Sequence, residues 1–165
     1  MEREHEGYYN SVKSLLNLPD AKERGICGAV GQLLKVDETY ETAIEAALGG
    51  ALQNIVTETE EDARDAIGYL KRRNLGRATF LPVTAIKGRP LEGRQAILAE
   101  VGVIGTAYEL VSFEEKFRQL AMYLLGRILV VENLDKAVQL AKKYHHQYKL
   151  SLIHISEPTR LQLIS

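Results

Sequence analysis

The amino end of the chain follows a helical pattern with a thin apolar stripe. Over residues 1–18, large apolar side chains recur at helical spacing: Tyr8, Val12, Leu15 and Leu16. Pro19 ends this pattern, because a proline ring disfavours the continuation of a helix. A stripe this narrow is typical of the end of a coiled-coil arm or of a terminal helix docked on a domain.

From Gly25 onward, short apolar runs alternate with segments of helical periodicity. The predicted strands cover residues 29–36, 52–56, 78–83, 101–104 and 128–131. The predicted helices cover residues 40–48, 59–70, 95–100, 113–125 and 133–141. Pro82 indicates that the third strand has a bulge, an edge position or an end there. This alternation predicts an α/β fold, with α+β character, that contains at least one partly parallel sheet.

Candidate capping residues indicate where three of the predicted helices begin. Thr59 with Asp62 and Ser112 with Glu115 both have the spacing of a capping box, and Asn133 is a third candidate N-cap. The acids next to Thr59 are therefore interpreted as groups that stabilise a helix start rather than as catalytic carboxylates.

The composition is that of a globular protein of 165 residues, which suits one domain or two small lobes. The single cysteine, Cys27, cannot form an internal disulfide, so a reducing cytoplasmic location is expected. The sequence lacks an apolar run of the roughly 18–20 residues that span a membrane, and its start does not resemble a signal peptide. No membrane partner is expected.

Charge is distributed unevenly although the net charge is only −1. Eight acids and no base occur over residues 37–62, whereas residues 64–94 carry eight bases against two acids, a local net charge of +6. A basic segment of this kind attracts polyanions. The candidate DNA-contacting residues are Lys71, Arg72, Arg73, Arg77, Lys87, Arg89 and Arg94. The alternative that these residues form a merely solvated basic face stays open.

Motifs for nucleotide, metal or nucleophilic chemistry are missing. The sequence contains no Gly-Lys dipeptide and therefore no phosphate-binding loop of the Walker type. His145 and His146 are adjacent on a predicted helix and point about 100° apart, so they are poorly placed to share a metal ion. Cys27 is interpreted as a small buried thiol. The chain itself is expected to bind no cofactor or metal and to catalyse no reaction.

Three long stretches resemble the hinge domain of bacterial SMC (structural maintenance of chromosomes) proteins. They are GICGAVGQLLKVDETYETAIEAALGGALQNIVTET, AIGYLKRRNLGRATFLPV and LLGRILVVENLDKAVQLAKK, at residues 25–59, 66–83 and 124–143. The most specific part is LGRATFLP, at residues 75–82. The resemblance implies two small lobes with mixed sheets flanked by helices. It also implies that residues 1–18 end a coiled-coil arm and that residues 19–149 form an incomplete hinge domain.

The same resemblance implies a function. Hinges of this family pair with a second hinge and are associated with DNA, in a chromosome-segregating ATPase of the cytoplasm and nucleoid. ATP and Mg²⁺ belong to a head domain that lies outside this chain. The alternative function, a small α/β ligand-binding domain or enzyme of unknown substrate, stays open at this point.

The last residues depart from the family pattern. The peptide LSLIHISEPTR resembles a translated sequencing adapter, so residues 150–165 are interpreted as a non-native tail that truncates the hinge. Pairing with a second hinge is therefore expected to be impaired. The apolar segment 150–155 could add a strand to an open sheet edge, and Pro158 is expected to stop any further pairing.

Overall fold

The chain folds into two compact units in a computed structural model that describes residues 8–89, 91, 94–153 and 163–164. Unit 1 comprises the residues up to Leu33 together with Gly50–Ile86. Unit 2 comprises Leu34–Gly49 together with the residues from Lys87 onward. The prediction of two small lobes is therefore confirmed.

Short helices and strands alternate along both units. The α-helices of the described residues are α1 (Asn10–Leu16), α2 (Val30–Leu33), α3 (Glu41–Leu48), α4 (Glu60–Arg72), α5 (Arg94–Leu98), α6 (Arg118–Leu125) and α7 (Leu134–Lys143). The strands are β1 (Ile26–Ala29), β2 (Lys35–Val36), β3 (Ile55–Thr57), β4 (Phe80–Pro82), β5 (Val103–Thr106), β6 (Val111–Ser112), β7 (Ile128–Val131), β8 (Lys149–Leu152) and β9 (Leu163–Ile164).

Unit 1 is built on a mixed sheet in which β3 lies between β1 and β4. β3 runs antiparallel to β1 and parallel to β4. Helices α1 and α4 pack on this sheet through a buried cluster: Val12, Leu15, Ile26, Ile55, Ala66 and Leu70. Val12 and Leu15 are 1% and 0% exposed, so the apolar stripe of α1 is docked on the core of its own unit.

Unit 2 contains a second mixed sheet with the strand order β5-β7-β8-β9 and a small antiparallel pair of β2 with β6. All four residues of β7 are buried, and this strand has the bounds that the sequence predicts. β8 pairs parallel to β7 and antiparallel to β9. The segment from residue 150 therefore adds a strand as expected, but the expectation that Pro158 stops further pairing is wrong, because Leu163 pairs with Ser151.

The predicted strand over residues 29–36 is wrong. A helix, α2, interrupts it between β1 and β2. The chain turns there because Gly28 adopts φ +140° and the side-chain oxygen of Gln32 accepts a 3.0 Å hydrogen bond from the backbone N–H of Ala29. The N–H of Val30 then donates to the carbonyl of Asn54 at 3.0 Å. These contacts satisfy the backbone groups that a continuous strand would pair elsewhere.

Two of the three predicted helix caps are confirmed. Thr59 and Asp62 form a reciprocal capping box at the start of α4, and the side chain of Asn133 accepts a hydrogen bond from the N–H of Lys136. The Ser112 cap is wrong, because Ser112 lies in β6 and pairs with Lys35 of β2. Its extended backbone is part of a strand ladder, and α6 begins six residues later.

Candidate nucleic-acid interface

The carboxyl end of α4 displays four of the basic residues that the sequence singles out. Lys71 and Arg72 lie in its last turn, Arg73 follows as the C-cap, and Arg77 lies in the loop that leads to β4. All four side chains are exposed. Cations in this position also stabilise the helix, because they lie near the free carbonyls of its last turn.

A Schellman motif fixes the direction in which the chain leaves α4. Asn74 adopts the left-handed conformation with φ +55°, and its N–H donates to the carbonyl of Lys71 at 3.1 Å. The next N–H, that of Leu75, donates to the carbonyl of Leu70 at 3.0 Å. The hydroxyl of Ser11 donates to the carbonyl of Arg77 at 2.5 Å and ties the loop to α1. The basic side chains are therefore carried on a well-anchored backbone.

Two guanidinium groups lie close to the ring of Tyr69 on α4. The guanidinium carbons of Arg24 and Arg73 lie 5.2 Å and 5.1 Å from the ring centre, within the range of cation–π attraction. Arg24 also pairs with Asp20 at 3.0 Å. We call Arg24, Lys71, Arg72, Arg73 and Arg77 the α4 basic surface.

Arg24 is a residue that the sequence interpretation missed. It lies 49 positions before Arg73, and only the turn at Gly25 brings it to α4. Gly25 adopts φ +78°, and a Cβ there would lie 2.1 Å from a carboxylate oxygen of Asp62. A larger residue would be strained at this φ and would have to displace the Asp62 side chain. No local pattern in the sequence signals this contact.

A groove of about 530 Å³ beside α4 mixes both signs of charge. Its charged lining residues are Arg24, Arg64, Arg72, Glu23, Asp62 and Asp65. The three acids offset the three bases there, so polyanion attraction is strongest outside this groove, at the end of the helix.

Lys87 and Arg89 lie in unit 2, on a segment pressed against α6, and both side chains are exposed. The N–H of Gly88 donates to the side-chain oxygen of Gln119 at 2.9 Å. Arg94 begins α5, and its side chain lies outside the described part of the structure. The basic run of the sequence is therefore divided between the two units, with Lys71, Arg72, Arg73 and Arg77 in one and the remaining three residues in the other.

His145 and His146 follow α7 rather than lie within it, which corrects the prediction of a helical pair. Both have left-handed backbones, with φ +57° and +59°. The described residues contain no group of three or more histidine, cysteine, aspartate or glutamate side chains placed to hold a metal ion. Along the same residues, the helices lack the combined length and apolar character that crossing a membrane requires.

A family model, the SMC proteins flexible hinge domain, matches residues 23–141. The chain belongs to the SMC hinge domain family. This hinge domain is 44% identical over 154 residues to the chromosome partition protein Smc of Bacillus subtilis and 48% identical over 135 residues to that of Methanocaldococcus jannaschii. The alignments cover 91% and 81% of the chain but only 13% and 11% of these relatives. The chain therefore corresponds to the hinge segment of these relatives and spans little more than a tenth of their length.

Solved hinge structures share the fold. The hinge domain of Geobacillus stearothermophilus, solved as an asymmetric dimer, is 42% identical with a TM-score of 0.85, over 93% of this chain and 63% of its own. The hinge domain of Pyrococcus furiosus is 31% identical with a TM-score of 0.71, over 92% of this chain and 75% of its own. The predicted α/β hinge fold is thereby confirmed.

Proposed function

We propose that this hinge domain contacts DNA without sequence specificity through the α4 basic surface. The observation that carries the proposal is the set of exposed cations at and just after one anchored helix end, with the guanidinium carbons of Arg24 and Arg73 at 5.2 Å and 5.1 Å from the Tyr69 ring centre. Several cations within reach of one phosphate backbone give affinity that depends on salt and little on sequence. Its place would be on the chromosome, in the cytoplasm and nucleoid.

Fluorescence anisotropy with labelled DNA at several salt concentrations tests this proposal. The variant Lys71→Glu/Arg72→Glu/Arg73→Glu should bind more weakly, and its plot of log affinity against log salt should be flatter by about 0.7–0.9 for each lost phosphate contact. The control Lys35→Glu/Lys116→Glu/Lys142→Glu makes the same charge change at exposed lysines of the other unit. Equal weakening in both variants would mean that net charge, not this surface, binds DNA.

We also propose that the hinge domain pairs with a second copy, as the Geobacillus stearothermophilus hinge does. Among the described residues, β5 is the outer strand of its sheet, and an outer strand is an edge on which a second chain can pair. Apolar side chains near it are exposed: Val101 at 76% and Ile104 at 37%. A second copy would cover both the backbone edge and these side chains.

Light scattering over a range of concentrations tests the pairing. Because pairing is a concentration-dependent equilibrium and the segment 150–165 is expected to impair it, the mass should stay near 18.5 kDa at low concentration and rise toward twice that value only at high concentration. Ile104→Lys should keep the chain monomeric, whereas Ile67→Lys, at a side chain that is 42% exposed in unit 1, should not. Unchanged pairing of Ile104→Lys would place the interface elsewhere.

We further propose that the hinge domain is non-catalytic, and that ATP and Mg²⁺ act at a separate head of the full-length protein. The support for this proposal is that residues 23–141 match the hinge model and that the alignments cover only 13% and 11% of the full-length relatives. An ATPase assay on the isolated chain should give the rate of the buffer alone.

A further inference from the structure

A cleft in unit 2 has an aliphatic floor. It has a volume of about 320 Å³ and lies between α6, the segment at residue 91 and the first residues of β7 and β8. We call it the α6 cleft. Leu91, Leu124 and Ile128 supply its apolar lining. One turn of an α-helix, about 5.4 Å long and 10–12 Å across, has a larger volume than this cleft. The cleft therefore suits one or two side chains of an extended segment.

Two glycines hold the floor in place by allowing the segment before Leu91 to lie directly on α6. A Cβ at Gly88 would lie 2.6 Å from both the Cβ of Met122 and the backbone nitrogen of Tyr123. A Cβ at Gly126 would lie 3.2 Å from the carbonyl oxygen of Arg89. Both approaches depend on glycine, because a larger residue would force the two segments apart. The floor is therefore set by packing within the unit and does not require a ligand to form it.

The rim of the α6 cleft carries positive charge. β7 and β8 run parallel with Ile128 opposite Lys149, so Arg127 and Lys149 lie at the same end of the sheet. Both are exposed, and none of the described lining residues is acidic. No carboxylate among the described residues forms an ion pair with either cation. Their complement is therefore an anionic group supplied by a ligand.

Two further lining residues, Tyr123 and Gln147, suit a peptide chain. Tyr123 is 53% exposed, although its helix neighbour Leu125 is fully buried. A tyrosine ring in this position can cover an apolar side chain while its hydroxyl stays in water. The amide of Gln147 can donate to a peptide carbonyl and accept from a peptide N–H. The lining thus offers separate partners for an apolar side chain and for a peptide backbone.

We propose that the α6 cleft binds a short acidic segment of another protein, in extended conformation, through an apolar anchor. A leucine or phenylalanine of the segment packs on the aliphatic floor beside Tyr123, and flanking carboxylates pair with Arg127 and Lys149. A nucleic-acid strand matches the rim but has little aliphatic surface to bury on this floor, so the acidic segment fits better. The assignment adds a protein partner to the DNA contact and the pairing proposed above and depends on neither.

Fluorescence anisotropy with three labelled octapeptides separates the apolar anchor from the charge. The first peptide has three glutamates on each side of a phenylalanine–leucine pair. The second has two glycines in place of that pair and should bind roughly ten- to hundredfold more weakly, because no anchor side chain is then buried. The third has glutamines in place of the glutamates and should bind more weakly by roughly two- to fivefold for each lost ion pair. Equal binding of all three peptides would contradict the proposal.

Substitutions in the lining test whether the peptide occupies this cleft. Tyr123→Ala and Leu124→Ala should each weaken binding of the first peptide by roughly two- to tenfold, because each removes apolar surface that the anchor covers. Tyr123→Phe, which keeps the ring, should bind it like the parent. Arg127→Gln/Lys149→Gln should bind the first peptide only as well as the parent binds the third. Unchanged binding of the first peptide by all of the weakening variants overturns the proposal.

A matched control excludes a general effect of charge. Lys35→Gln/Lys142→Gln removes two positive charges at exposed lysines of the same unit and should leave binding of the first peptide unchanged. Weakening equal to that of Arg127→Gln/Lys149→Gln would mean that the cleft has no specific role. Two other results would also overturn the proposal. Binding of oligo(dT) that Tyr123→Ala abolishes, without binding of the acidic peptide, would make the cleft a nucleic-acid site. A lower light-scattering mass of Tyr123→Ala at high concentration would assign the cleft to the pairing of two copies.

Nuclear magnetic resonance locates the peptide directly, since the chain is small enough at 18.5 kDa for its amide signals to be resolved. Adding the first peptide should shift the amide signals of Tyr123, Leu124, Arg127 and Lys149. Shifts confined to unit 1 would contradict the assignment. The result is independent of the α4 basic surface, because the variant Lys71→Glu/Arg72→Glu/Arg73→Glu should bind the first peptide at least as well as the parent does.

Discussion

The hydroxyl of Ser151 donates a 2.6 Å hydrogen bond to the carbonyl oxygen of Ala43, which lies 108 positions earlier in the chain. Both residues are 0% exposed. Ser151 belongs to the segment 150–165 that is interpreted from sequence as a non-native tail. Leu150 and Leu152, each 1% exposed, lie on either side of it in β8 and belong to the core cluster of unit 2. The start of this segment is therefore part of the buried core of unit 2, whether it is native or not.

Ser151→Ala should lower the free energy of unfolding by about 1–3 kcal/mol, because it leaves the buried carbonyl of Ala43 without its donor. Ser14→Ala is a matched control, since the hydroxyl of Ser14 bonds only within its own helix, to the carbonyl of Asn10 at 2.8 Å. Urea denaturation of both variants measures the difference. Equal losses would mean that the Ser151 contact adds nothing specific.

Asn74→Ala should destabilise the chain by about 1 kcal/mol, because an alanine Cβ is strained at φ +55°. Asn74→Gly should be at least as stable as the parent, since glycine adopts this conformation without steric cost. Thermal and urea denaturation of the pair test the Schellman motif that ends α4. A stable Asn74→Ala variant would show that the chain leaves the helix by another route.

Leu125→Ala should cost about 2–5 kcal/mol, because Leu125 is 0% exposed and its removal leaves a cavity. Its neighbour Leu124 is only half-buried, so Leu124→Ala should cost about 1 kcal/mol. The order of the two urea midpoints tests which face of α6 is buried. If Leu124→Ala lowers the urea midpoint more than Leu125→Ala does, then α6 is rotated so that Leu124 faces the core.

Glu100 gives unit 2 a specific acid sensitivity. Hydrogen bonds from Lys143 at 2.6 Å and then from the hydroxyl of Tyr144 at 2.7 Å lower the pKa of this carboxyl from its ordinary value of 4.5. A lowered pKa stabilises the folded state above pH 4.5, and this contribution is lost as the pH falls through the folded-state value. Glu100→Gln should therefore flatten the fall in stability below pH 4.5.

Urea midpoints measured at a series of acidic pH values check this expectation. Glu132→Gln, at an exposed acid that follows β7, is the matched control. If Glu100→Gln and Glu132→Gln give parallel pH profiles, the pairing of Glu100 with Lys143 and Tyr144 makes no contribution in solution.

Local patterns predicted the elements whose hydrogen bonds and buried faces are set by nearby residues. The run Ile128–Val131 is apolar throughout and forms β7 with those bounds. The pair Thr59 and Asp62 satisfies backbone donors within one helical turn, so its capping box follows from spacing alone. Ser112 has the same spacing with Glu115, yet its backbone pairs with Lys35, a partner far away in the chain. At Ser112 the pairing of β6 with β2, which only the tertiary structure provides, therefore overrides the local capping pattern.

The sequence by itself determined the hinge family, the alternation of helices and strands, and the basic character of residues 64–94, because each depends on residue identity and short spacing. Only the tertiary structure decided which cations act together. It brought Arg24 to Tyr69 through the turn at Gly25, and it placed Lys87 and Arg89 in the other unit. The physical reason is that charge and shape complementarity depend on distance in space, which packing between distant segments sets.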